Sequence, residues 1–208
     1  MRFSGLIPLL AVLTLSGFAQ SSEVNVLTPA ERAKGWTLLW QGGPLSDWTP
    51  QLVSSWKTKG GALTADQSTF FWLRQDTVYE DFILQADFRM LSPEADSGIF
   101  IRAAKDGNPT STGYQININN INEEYATGSV VNRARYNAGP VAVNKWHHYE
   151  IKAEGDHISA VLDGKTTVDF HDSSSARGHI GLQFLKGEDV EFRNLKILRL
   201  GPPVNSRH

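Results

Sequence analysis

Apolar and polar residues alternate along most of this chain with a period of two. In Ser97-Gly98-Ile99-Phe100-Ile101-Arg102 the apolar face carries Ile99 and Ile101, and in Tyr114-Gln115-Ile116-Asn117-Ile118-Asn119 it carries Tyr114, Ile116 and Ile118. Ile180-Gly181-Leu182-Gln183-Phe184 repeats the split. Successive strand side chains point to opposite faces, so Arg102, Gln115, Asn117, Asn119 and Gln183 are predicted to face away from the core. The run from Asp81 to Leu91 sets Phe82, Leu84, Ala86, Phe88 and Met90 against Ile83, Gln85, Asp87, Arg89 and Leu91, which predicts one core face and one mostly polar face.

Read the same way, the chain predicts strands over 36–41, 52–58, 61–65, 69–74, 80–91, 97–102, 113–119, 146–153, 157–162, 165–170, 179–185 and 189–199, separated by Gly, Asn, Asp and Pro clusters. Gly155-Asp156 and Asp163-Gly164 are two-residue turn signals, so 146–170 is expected to fold as a three-stranded meander. One short helix is predicted at Thr28-Pro29-Ala30-Glu31-Arg32-Ala33, which offers a capping threonine, a first-turn proline and an acid. Segment 120–145 carries no sustained period and is expected to be a long loop, functional or mobile. Many short strands joined by turn signals imply an all-β sandwich or barrel.

Composition narrows the setting. Arg2, the apolar stretch Leu6 to Leu15 and the small-residue site Gly17-Phe18-Ala19 read as a secretory signal over 1–19. That apolar stretch is shorter than the roughly 20 residues a membrane span needs. A lead-in at 20–34, one domain at 35–200 and a tail at 201–208 then follow, with a secreted or periplasmic destination. The chain contains no cysteine, which rules out disulfides, thiolate metal sites and a lipid anchor on a cysteine. A net charge of -2 with both signs interspersed gives no footprint for nucleic acid or an anionic membrane, so a neutral ligand is expected.

The candidate chemistry sits on the polar face. Amides and a guanidinium on one sheet face suit hydroxyl-rich ligands, because each donates hydrogen bonds and the amides also accept them; the competing reading is a solvated outer face. His147 and His148 are neighbours in a strand and point apart, so a shared zinc is not expected. Calcium, whose oxygen ligands leave little trace in sequence, stays open. No phosphate loop, nucleophile elbow or cysteine nucleophile is present. Candidate acids and bases are Asp87, Glu123, Glu124 and His179, each with a plain alternative as a surface or ion-paired group.

Several segments occur together in a telling order: Gly35-Trp36-Thr37-Leu38-Leu39-Trp40 with Leu45-Ser46-Asp47-Trp48, Asp96 to Arg102, Gly113 to Ile118, Trp146 to Ile151, Leu162-Asp163-Gly164, Ile180 to Gln183 and Val190 to Ile197. The series resembles the 3-keto-disaccharide hydrolase domain family over most of 35–200. The resemblance implies a concanavalin A-like jelly-roll sandwich of two antiparallel sheets, and action on glycosides oxidised at C3. A ketone there acidifies the C2 proton, so a base can remove it, the aglycone can leave C1 and water can add back. Such chemistry needs a base and an oxyanion stabiliser. The resemblance makes Arg102 a stabiliser or sugar ligand, with Gln183 and Asn117 binding hydroxyls; beside it, Glu123, Glu124, Asp87 and His179 stay the candidate bases, and Gln115, Asn119, Phe100 and Arg133 are further candidate sugar contacts.

This chain departs from the family pattern at the strand of residues 114–119. Gln115 stands where the family has glutamate, Asn117 where it has glutamine, and Asn119 or Asn120 where it has aspartate. An amide does not accept a proton as a carboxylate does. The sequence therefore predicts a secreted carbohydrate-active protein that cleaves 3-keto-glycosides or 3-keto-disaccharides by base-assisted elimination and hydration. The alternatives are a non-catalytic carbohydrate-binding module and, third, a partner-binding domain.

Overall fold

The computed structural model describes residues 23–50, 56–65, 71–185 and 189–201. The export signal expected at 1–19, part of the predicted strands 52–58 and 69–74, and nearly all of the tail lie outside them. Helix α1 (Pro29–Ala33) leads into strands β1 (Thr37–Leu38), β2 (Trp48–Pro50), β3 (Trp56–Lys59), β4 (Ala62–Ala65), β5 (Phe71–Tyr79), β6 (Phe82–Met90) and β7 (Asp96–Ala103). Helix α2 (Pro109–Thr112) then precedes β8 (Tyr114–Asn119), β9 (His147–Glu154), β10 (His157–Leu162), β11 (Lys165–His171), β12 (Gly178–Phe184) and β13 (Val190–Arg199).

The strands form two antiparallel sheets. The larger runs β11, β10, β9, β6, β13, β4, β3, with β1 also on β13, and the smaller runs β2, β5, β12, β7, β8. Packed face to face, they make a sandwich, one of the two forms the alternation predicts, and it is the jelly roll that the family resemblance implies. The core is what the period of two sends inward: Phe82, Leu84, Ala86, Phe88 and Met90 from β6 are fully buried, as are Tyr149, Ile151 and Ala153 from β9. From the smaller sheet, Ile99, Ile101, Tyr114, Ile116, Ile118, Ile180 and Leu182 meet them. Each large side chain so buried contributes about 1.5–3 kcal/mol, and Phe88 stacks on Tyr149 with centroids 5.0 Å apart.

Local chemistry sets the ends of these elements. Thr28 accepts from Glu31 N while Glu31 accepts from Thr28 N, a capping box that starts α1. In the β10–β11 turn Asp163 and Gly164 both take positive φ, 48° and 82°, as a two-residue hairpin requires. Gly155 opens the β9–β10 turn at φ 57°. The meander forms as predicted.

Three departures from the predicted elements have physical causes. Strand β2 has only three residues and ends at Pro50, too short for a period to register. Helix α2 is a single turn started by the Asn108 side chain and Pro109. The supposed loop after β8 is partly a strand in all but name: Asn117 N donates to Ser129 O at 2.9 Å and Val131 N to Gln115 O at 3.0 Å. Val130 is fully buried there, on the edge of β8.

Candidate functional site

The outward side of the five-stranded sheet carries most of the predicted polar residues. Gly98 lies between Gln183 of β12 and Asn117 of β8, and Phe100 lies between Gly181 and Gln115. Two glycines make room for this floor. A Cβ on Gly181 would come within 2.2 Å of the Trp72 ring, and one on Gly98 within 2.9 Å of Gln115 Nε2. Trp72 therefore lies over β12 and meets Phe100 edge-on, with centroids 5.5 Å apart. Ala103 completes this small apolar cluster.

Beside the aromatic pair runs a chain of amides. Thr110 Oγ1, on α2, donates to Gln115 Oε1 at 2.7 Å. Gln115 Nε2 donates to Gln183 Oε1 at 2.7 Å and to Asn117 Oδ1 at 3.2 Å. Asn117 Nδ2 donates to the Tyr125 carbonyl. Gln115 and Gln183 are each 5% exposed and Asn117 3%, so this is a covered, paired floor rather than a solvated outer face.

At the other end of β12 stand Arg74 and His179. Arg74 is in register with Gly181, yet its Nη1 donates to Lys105 O at 2.8 Å, so the side chain crosses β12 toward the end of β7. Its Nη2 pairs with Asp76 at 3.3 Å. His179 is buried, and its Nδ1 lies 2.9 Å from the Gln75 carbonyl. A carbonyl accepts only, so Nδ1 carries a proton, and in the neutral ring Nε2 holds the lone pair.

Arg102 is not part of this floor, although the alternation places it there. The pairing of β7 with β12 slips between His179 and Gly181, and Arg102 takes φ 51° in the resulting bulge. Its side chain is turned to the end of the sandwich and is fully buried. There Nε donates to Glu80 O at 2.9 Å, Nη1 to Gly155 O at 2.7 Å and Ser175 O at 3.3 Å, and Nη2 to Asp81 at 2.9 Å. Burial lowers its pKa and Asp81 opposes that shift. Arg102 thus ties three turns together.

The other candidates separate as well. Asp87 is on the outward side of the larger sheet, bound to His148 at 2.7 Å and Asn194 at 2.7 Å, on the far side of the molecule from Gln115. Burial raises its pKa, but His148 and Asn194 outweigh this and hold it below the ordinary carboxylate value. Glu123 and Glu124 are exposed, and Glu124 pairs with Arg135. Arg133 pairs with Asp172 at 3.0 Å. Asn119 Oδ1 accepts from Ile121 N and Asn122 N, both at 2.9 Å, which makes it the cap of the loop that follows β8. His147 and His148 do point apart, toward Asp163 and Asp87.

The residues brought together are therefore Gln115, Asn117, Gln183 and Phe100, with His179 farther along β12. Those that sequence reasoning missed are Trp72, Arg74 and Thr110. Trp72-Leu73-Arg74 alternates as the other strands do, so parity alone would have put Trp72 and Arg74 on the polar side. Thr110 had no such signal. Clefts of about 390 and 590 Å³ beside β1, sharing Leu38 and Gln41, contain none of these groups. Among the described residues no three His, Cys, Asp or Glu side chains converge as a metal site.

Residues 35–198 match the 3-keto-alpha-glucoside-1,2-lyase-like domain. The chain belongs to that family. It is a carbohydrate-active protein by that membership, and the jelly roll is shared with solved structures of low sequence identity. A Parabacteroides distasonis protein whose glycosyl hydrolase name is provisional superposes with a TM-score of 0.74 at 18% identity, over 86% of this chain and 100% of that one. A second such protein from the same organism gives 0.64 at 22%, over 79% and 99%. The carbohydrate-binding module CBM66 from Bacillus subtilis gives 0.60 at 23%, over 72% and 94%. No curated protein matches the sequence.

Proposed function

We propose that this lyase-like domain binds a glycoside oxidised at C3 on the floor of the five-stranded sheet and cleaves it by elimination followed by hydration. One observation carries the reading: His179 shares the five-stranded sheet with Gln115, Gln183 and Trp72, and with Nδ1 held by the Gln75 carbonyl the neutral ring offers Nε2 as the proton acceptor. His179 removes the C2 proton, and the electron pair moves into a C2=C3 bond with negative charge on the C3 oxygen. A hydrogen-bond donor of the floor stabilises that charge. The enolate returns to the ketone as a C1=C2 bond forms, the C1–O bond breaks and the alcohol leaves with a proton. Water then adds hydroxyl to C1 and hydrogen to C2, so glycoside and water become 3-keto sugar and alcohol.

The test supplies a 3-keto-glucoside and its unoxidised parent and follows alcohol release. Release is expected from the keto sugar only, and His179→Ala is expected to slow it by about 100-fold or more, the usual contribution of a positioned base. Release from the parent overturns the mechanism, because the unoxidised sugar has no acidified C2 proton. A second reading, a non-catalytic sugar-binding module, is favoured by Asp87 lying on the other sheet and by Glu124 being exposed and paired with Arg135. Binding without release from either sugar establishes that reading.

The same proposal places the protein outside the cytoplasm, on the strength of Arg2, Leu6 to Leu15 and Gly17-Phe18-Ala19. Intact mass of protein recovered from the periplasm or medium of a bacterial host is expected to lack Met1 to Ala19. A mass that retains them there defeats export by cleavage.

A further inference from the structure

The amide chain on the floor has a direction, and the backbone sets it. Tyr125 contributes a carbonyl, which only accepts, so the Asn117 atom facing it is Nδ2. Asn117 Oδ1 then faces Gln115, whose facing atom has to be Nε2. The same Nε2 contacts Gln183, so Gln183 turns Oε1 inward. Gln115 Oε1 is left for the Thr110 hydroxyl, which can donate to it. Each amide has one choice consistent with its neighbour, and the last, Gln183, directs Nε2 away from the chain. No described residue accepts from that Nε2. It is not fully sealed, because the one sealed side-chain atom without a partner among the described residues is Arg74 Nε.

We propose that Gln183 Nε2 is the specificity-determining group of this floor, a donor held with fixed polarity that selects a carbonyl oxygen over a hydroxyl on the bound sugar. A carbonyl oxygen needs only a donor. A hydroxyl at the same place also brings a hydrogen that requires an acceptor, and Gln183 Oε1 is already engaged by Gln115. The hydroxyl hydrogen is left unpaired, which costs binding free energy where water is excluded. Gln115, Asn117 and Thr110 act as positioning residues, and glutamine at 115 is required: a carboxylate there has no N–H for Gln183 Oε1 or Asn117 Oδ1. The inference rests on the sugar reading of this face for its ligand, while the polarity belongs to the protein alone.

Both parts can be measured on the whole folded protein. In 15N spectra the side-chain amide protons of Gln115 and Asn117 are expected to exchange slowly with solvent and those of Gln183 fast. A protected Gln183 amide beside a fast-exchanging Gln115 amide overturns the polarity. By calorimetry, wild type is expected to bind an alkyl 3-keto-C-glucoside, whose C1–C bond is not cleaved, about tenfold or more tightly than its unoxidised parent, a gap of about 1.4 kcal/mol. Gln183→Glu keeps an oxygen toward Gln115 and exchanges the outward donor for an acceptor, so it is expected to erase or reverse that preference. Gln115→Glu, which removes the inward donor, is expected to do the same by letting Gln183 turn round. Unchanged preference in a folded Gln183→Glu variant refutes the selection. Failure of wild type to bind either sugar defeats the sugar reading of the face, and the exchange measurement still decides the polarity.

Discussion

Arg102 shows how one residue can have the chemistry of a ligand and the job of a brace. A buried guanidinium is tolerated where its donors are matched, and here three carbonyls and the Asp81 carboxylate match them. Arg102→Ala leaves those acceptors without donors at the end of the sandwich, and a loss on the order of 3 kcal/mol of unfolding free energy is expected. Chemical denaturation checks it; a variant with wild-type stability but weakened sugar binding would return Arg102 to the ligand. Its position was misread from sequence because a bulge adds a single residue to one strand and leaves no mark in the apolar-polar string. Asn194 in β13 takes φ 52° at another such slip, and Asn25 secures it by reciprocal bonds to the backbone of 2.7 and 2.8 Å. Short polar residues tolerate the left-handed region there, but nothing in the local sequence announces a partner 169 positions away.

At the level of strands, parity was readable wherever a strand stayed regular. β6, β8 and β12 send inward the residues that alternation assigns, because a one-residue slip would turn every apolar side chain outward. What alternation could not show is which sheet a polar face belongs to. Asp87 and Gln115 both lie opposite core residues, yet they look out from opposite sides of the molecule, since strand order depends on pairings between distant segments. The floor itself depends on Gly181, where Trp72 occupies the space of the missing side chain. Gly181→Ala forces the ring off β12, and a cost of about 1–3 kcal/mol from overpacking is expected together with weakened sugar binding. Thermal melts and titration with a 3-keto-C-glucoside check both. Retention of both stability and binding would mean that Trp72 is free to move and is not part of the floor's shape.

For the molecule as a whole, stability is tied to acid groups that bridge distant parts of the chain. Glu31 of α1 accepts from Lys196 of β13 at 2.6 Å, and this bond more than any other lowers its pKa to about 2. Asp163 sits at the β10–β11 turn, where burial raises its pKa, but His147 and the His148 backbone prevail and hold it low. Asp87 is held low in the same manner by His148 and Asn194. A carboxylate whose folded pKa is depressed binds fewer protons folded than unfolded, so it stabilises the fold above its ordinary value of roughly 4 and loses that contribution as pH falls through the folded value. Unfolding free energy is therefore expected to decline steadily from about pH 4 toward pH 2. Glu31→Gln and Asp163→Asn should each lower stability at neutral pH and flatten the acid limb of the curve. They act at separate places, α1 against β13 and the turn against β9, so their effects should add to within about 0.5 kcal/mol. Denaturation at a series of pH values tests this, and a wild-type curve that rises on acidification, or variants with an unchanged acid limb, would show that these bridges do not govern the acid stability of the sandwich.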